Sequence, residues 1–104
     1  MYLPQPYKTF AKEFPEVFEK HQNLGQACRQ AGPLEAKTQE LVKLGIAIGT
    51  SSRGGVMSAV RKALDAGVSR EEINHAILLA ITTNGFPKMI VALGWAEEVM
   101  SAKV

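Results

Sequence analysis

The sequence predicts an all-α protein: a helical bundle of about five helices, one domain over residues 1–104, assembled into an oligomer. Three observations carry that expectation. No stretch alternates apolar and polar residues with a period of two, and no hairpin turn pair joins two apolar runs, so nothing reads as a strand. Apolar residues instead recur at helical spacing, between start and stop signals typical of helices. Residues 41–48 and 76–81 are apolar almost all round. A helix apolar on every side must be buried on every side. A chain of 104 residues has little interior for that, so a second copy is the natural cover.

The elements follow in order. Pro4 and Pro6 mark residues 1–8 as extended. Pro15 suits the first turn of a helix, where its missing N–H costs nothing. From there Phe14, Val17, Phe18, His21, Leu24, Gly25 and Cys28 fall on one helical face, and Gly32-Pro33 ends the run. A second helix spans about Glu35 to Gly49. Thr50-Ser51-Ser52-Arg53-Gly54-Gly55 is a turn of small residues, and a third helix runs from 54 or 56 to Ala66, with Gly67 as its C-terminal cap. Ser69-Arg70-Glu71-Glu72 is a capping box that opens a fourth helix, which continues to about Thr83. Asn84-Gly85 ends it, and Phe86-Pro87 opens a fifth that ends near Ala102.

Composition excludes several classes. The net charge is +2, from 12 basic and 10 acidic residues, with the basic ones scattered. That balance makes no electrostatic case for nucleic acid or for an anionic membrane. The first residues lack the charged-then-apolar pattern of a signal peptide, and no apolar run approaches the ~18–20 residues that span a bilayer. A soluble, cytoplasmic protein is expected. The single Cys28 excludes an intrachain disulfide and an intrachain dithiol centre. His21, His75, Cys28 and the acids show no metal-ligand spacing, so neither metal nor cofactor is expected.

Four segments carry more than helix chemistry: Phe14-Pro15-Glu16-Val17-Phe18, Leu34-Glu35-Ala36-Lys37-Thr38-Gln39-Glu40-Leu41, Gly67-Val68-Ser69-Arg70-Glu71-Glu72-Ile73 and Gly85-Phe86-Pro87. Together, in this order and over roughly residues 14–100, they resemble the carboxymuconolactone decarboxylase family, which includes the alkylhydroperoxidase D-like proteins. The resemblance implies an alkylhydroperoxidase D-like bundle that assembles as a trimer or hexamer. It also implies a decarboxylase or peroxidase-like site. In peroxidase-like members a glutamate precedes the first cysteine of a Cys-x-x-Cys pair by twelve residues, and a histidine follows the second cysteine by four. Counted from Glu40, those positions hold Ser52, Gly55 and Ala59. A serine hydroxyl is a far weaker nucleophile than a thiolate and needs an adjacent base, which Ala59 cannot supply. The resemblance therefore implies the scaffold of an enzyme family without its dithiol, and of its site residues only Glu40 remains.

Glu40 shares a helical line with Leu44, Ala47 or Ile48, and Ser51. An acid on an apolar face costs energy unless hydrogen-bonded, and an acid taken out of water is the form in which proteins tune proton-transfer groups. The alternative is an acid near a helix N-terminus, held by the dipole or by a cation. His75, flanked by Ile73, Ala76 and Ile77, is expected near the buried side, as a core or interface histidine or as a replacement for the missing one. Ser52 and Arg53, in the Ser/Gly turn before a helix, are ligand-binding candidates because free N–H groups there attract anions; the alternative is a tight helix–helix turn. His21 and Cys28 are expected on a packed face, Cys28 as a small hydrophobe. Met57, Met89, Met100, Trp95 and Phe86 are core or interface residues. Two functions remain: acid/base chemistry on, or binding of, a small anionic or carbonyl-bearing molecule through Glu40, or a non-catalytic oligomeric scaffold or small-ligand binder that has lost the site.

Overall fold

Pro6 lies in the first turn of a helix, α1 (Gln5–Glu13), and the Pro4 carbonyl accepts hydrogen bonds from the Tyr7 and Lys8 N–H groups, both at 3.1 Å. The extended reading of this stretch is corrected from Gln5 onward. A proline in the first turn forfeits only an N–H that has no helical partner, and its fixed φ suits the helix. The computed structural model describes residues 4–102, so residues 1–3 of that stretch lie outside the described residues. The chain divides into two compact units, residues 1–33 and residues 34–104.

The first unit is a helical hairpin. α1 packs on α2 (Pro15–Gln30), which Pro15 opens in its first turn. Four rings knit the hairpin: Tyr7 and Phe10 meet Phe18 edge-on at centroid distances of 5.4 and 5.9 Å, and Phe14 lies 6.3 Å from Phe10. Such pairs add about 0.5–1.5 kcal/mol each beyond the area they bury. No residue of either helix is buried. His21 and Cys28 are exposed, contrary to the packed face read from their spacing. Val17 and Leu24 on that face are also exposed: the periodicity is real, but the unit does not cover it.

The second unit contains the core. α3 (Ala36–Gly49) is followed by α4 (Arg53–Asp65), α5 (Arg70–Leu78), a 3₁₀ turn (Leu79–Thr82) and α6 (Phe86–Ala102). Six α-helices and a 3₁₀ turn thus stand among the described residues, rather than about five helices. α4 packs on α3 and α6, and α5 packs on α3 and α6. Their seams bring together Leu44, Ile48, Val56, Val60, Ile73 and Ile77, each 2 % exposed or less. Each such side chain contributes about 1.5–3 kcal/mol relative to its exposed state. The helix ends are chemically explicit. Ala66 caps α4, the Gly67 N–H donates to the Leu64 carbonyl, and the Val68 N–H donates to the Ala63 carbonyl. This closure requires the left-handed φ of +93° at Gly67. Ser69 and Glu72 form the capping box of α5 in both directions, at 3.0 and 2.8 Å. The 3₁₀ turn replaces the last turn expected of this helix.

The segments that read as apolar all round are covered on one side only. Leu44, Ile48, Ile77 and Ala80 are buried, whereas Ile46 is 64 %, Leu78 50 % and Leu79 60 % exposed within the chain. No helix among the described residues is long and apolar enough to cross a membrane.

Candidate functional site

Glu40 is the buried charged residue among the described residues, 4 % exposed, and its Oε1 atom is wholly enclosed. Two features put it there. Gln39 Nε2 donates to the Leu34 carbonyl at 2.8 Å as α3 begins. One and two turns further on, Leu44 and Ile48 drive the same face of α3 into the core. Burying a charge requires compensation from its surroundings, so this position is structurally committed rather than incidental.

α4 returns alongside α3 after the three-residue link Thr50–Ser52. Ser52 caps it, its hydroxyl accepting the Gly55 N–H at 2.9 Å. At Gly55 the helices come close: a Cβ there would lie 3.4 Å from Ala47 Cβ and 2.9 Å from Ser52 Oγ. Between the helices is a cavity of about 250 Å³. From α3 it is lined by Glu40, Lys43, Ile46 and Ala47; from α4 by Gly55, Ser58, Ala59 and Lys62. The α4 set falls at i, i+3, i+4 and i+7, a single helical face. The space exists because three of its walls are Gly or Ala.

The sequence count from Glu40 therefore converges on one place: Glu40, Gly55 and Ala59 border the same cavity. Ser52 does not line it but holds the helix start. Arg53 lies on the exposed surface, donating to Glu98 Oε1 at 2.6 Å in an ion pair. Such exposed pairs are worth about 0–1 kcal/mol.

His75 is exposed, correcting the expectation that it lies near the buried side. Ile73 and Ile77, four apart, define the buried line of α5, and a residue midway between them points away. His75 borders a different and wider cavity of about 570 Å³ on another face of α3, with Thr38, Leu41, Glu72, Thr83 and Asn84. The cavity that Glu40 borders does not include His75 in its lining. Nearby, Glu72 is held below the usual carboxylate range, first by the hydrogen bond from the Ser69 backbone N–H and then by the charge of Lys37, 3.9 Å away. Glu97 is likewise lowered, first by the Ser101 hydroxyl and then by Arg70 at 2.8 Å.

Sequence reasoning missed Lys43, Ser58 and Lys62. The signal was available: Lys43 lies three residues past Glu40, and Ser58 and Lys62 lie three and seven past Gly55. Among the described residues no group of three or more His, Cys, Asp or Glu side chains is placed to hold a metal ion.

The carboxymuconolactone decarboxylase family model matches residues 15–98, from the start of α2 to near the end of α6. No curated protein matches the chain.

Proposed function

The chain belongs to the carboxymuconolactone decarboxylase family, and from that premise we propose that it binds and acts on a small carbonyl-bearing molecule in the α3/α4 cavity, with Glu40 as the proton-transferring group. The carrying observation is the buried carboxyl of Glu40 at the wall of a cavity that also contains the positions counted from it, Gly55 and Ala59. Where the family's peroxidase-like members would place a thiol and an imidazole, this cavity has Gly55 and Ala59 and a largely apolar lining, with Ser58, Lys43 and Lys62 among its other residues. Peroxide reduction by an intrachain dithiol has no second sulfur in a chain whose one cysteine is Cys28. Acid/base chemistry needs only a carboxyl within reach of the substrate's carbonyl oxygen or α-carbon, and a hydroxyl to orient it. A cavity of this size, below the ~300–1,000 Å³ of pockets for drug-sized ligands, takes a small metabolite.

Solvent exchange tests the reading directly. The protein is incubated with a panel of small lactones and oxo acids in D₂O, and deuterium entering α to the carbonyl is followed by NMR. At least one compound is expected to exchange faster with the protein present, and Glu40→Gln should lower that rate by about 10²–10⁴-fold. Unchanged exchange across the panel, or a Glu40→Gln rate equal to that of the original protein, would sink the proton-transfer role.

A second reading has its own observation. Val42, Ile46, Leu78, Leu79, Phe86 and Ile90 are large apolar residues left exposed. Large apolar side chains left exposed in this number favour association with another surface. The same chain is then a homo-oligomer, a trimer or hexamer, acting as a helical scaffold. Light scattering that returned the 11.3 kDa of one chain would remove this reading.

A further inference from the structure

We propose that Lys43 and Lys62 determine the ligand's charge: the cavity takes an oxo acid, with its carbonyl facing Glu40 and its carboxylate facing the two lysines. The inference rests on the cavity being the ligand site and goes beyond that reading by naming the substrate class and its orientation. Its basis is the distribution of charge around one small space. Among the residues that line the cavity, the titratable groups are one carboxyl and two ammonium groups. Basic residues outnumber acidic ones two to one in this lining, which favours an anion over a neutral ligand.

The charges are also ordered by depth. Glu40 is 4 % exposed, whereas Lys62 is half-buried and Lys43 is exposed. A carboxylate entering this cavity is repelled by Glu40 and attracted by both lysines, so it stays outward. The carbonyl end is uncharged, and the acidic C–H beside the carbonyl can meet the Glu40 carboxylate as its base, so this end can face inward. Ile46, Ala47 and Ala59 supply the apolar wall between the two ends. Lysine suits the outer role: it is a point charge on a flexible stem that adjusts to the anion's position, and its field acts at the mouth whatever else its ammonium touches. A neutral ketone or ester gains nothing from it.

A matched pair of ligands reads this out. Levulinate and its methyl ester share a ketone and a carbon chain and differ in charge. Each is titrated into the isotope-labelled protein while the Gly55, Ser58 and Ala59 amides are followed by NMR. Levulinate is expected to bind about ten-fold more tightly than the ester, the scale of one charge-assisted hydrogen bond. The Lys43→Gln/Lys62→Gln pair should reduce that ratio to near one. Raising salt from about 20 mM to about 500 mM should weaken levulinate binding and leave the ester unchanged, a readout on the unaltered protein that does not depend on the variant folding.

Equal binding of the two compounds at these amides would overturn the lysine assignment while leaving a carbonyl-binding cavity intact. Shifts at these amides with neither compound would overturn both. Displacement of levulinate by equimolar inorganic phosphate would overturn the oxo-acid assignment in favour of a site for a bare anion.

Discussion

Helix α3 separates two hollows of very different character. Toward α4 lies the smaller one, about 250 Å³, with a buried acid in its wall and lysines around it. Toward α5 lies a space more than twice as large, about 570 Å³, bordered by His75, Glu72, threonines and apolar side chains. By size, or by the presence of a histidine, the wider hollow would be chosen. Chemistry favours the narrower one. The titratable groups of the wide space, His75 and Glu72, are exposed, and Glu72 serves the capping box and lies near Lys37. The acid of the narrow space is held out of water by the fold itself. A charge kept buried implies structural or chemical use in a way that a charge at the surface does not.

The largest expected effect falls on the helix that contributes to both hollows. Leu44 is fully buried on the face of α3 between Glu40 and Ile48. Leu44→Ala should cost about 2–5 kcal/mol in denaturant unfolding, because the cavity it leaves adds to the lost burial. A loss below ~1 kcal/mol would mean that α3 is not the anchored wall described here.

A smaller change isolates the wide side. Ser69 caps α5, and Ser69→Ala should cost about 1 kcal/mol. Hydrogen exchange should rise along α5 while the α4 amides facing Glu40 keep their protection. The same side has a pH signature. Glu72 and Glu97 titrate below the usual carboxylate range, so their contribution is present above that range and disappears as pH falls through their depressed values. NMR titration should find both protonating at lower pH than ordinary glutamates. Titration within the ordinary range would contradict the hydrogen bonds assigned to them.

The smallest expected effect sharpens the contrast most. His75→Gln should leave stability within about 0.5 kcal/mol, the range of surface substitutions. It should also leave any Glu40-dependent exchange within two-fold of the original rate. A large loss of exchange would transfer the site to the wide hollow.

Much of this contrast was legible in the sequence, and the remainder was hidden for physical reasons. The caps read directly, because Gly67, Ser69 and Glu72 act on backbone groups two to four residues away. The burial of Glu40 was one of the two readings that its place on α3 allowed, and its i+4 and i+8 partners pointed to it. The exposure of His75 was not read, because flanking apolar residues were weighed above the four-residue period that Ile73 and Ile77 set. Cys28 and His21 failed differently: their periodicity describes a face, and no sequence period says whether a second surface covers it. Lys43 and Lys62 were not singled out, because the basic residues are scattered along the sequence. Only the approach of α4 to α3, which depends on Gly and Ala at three wall positions, shows that both border one small space.

The close contact at Gly55 bears on how such a site can change over time. A Cβ built at 55 lies 3.2 Å from the Cβ of Ser52, a little closer than the ~3.5–4.5 Å at which two cysteines join. The backbone therefore brings positions 52 and 55 near the spacing of a dithiol. A lone cysteine at 55 crowds the serine that caps α4 and gains no partner sulfur; a lone cysteine at 52 gives up the capping hydroxyl and gains none either. A dithiol here therefore takes two substitutions made together, while single changes at 52 or 55 alter only the cap of α4 or the space beside Glu40.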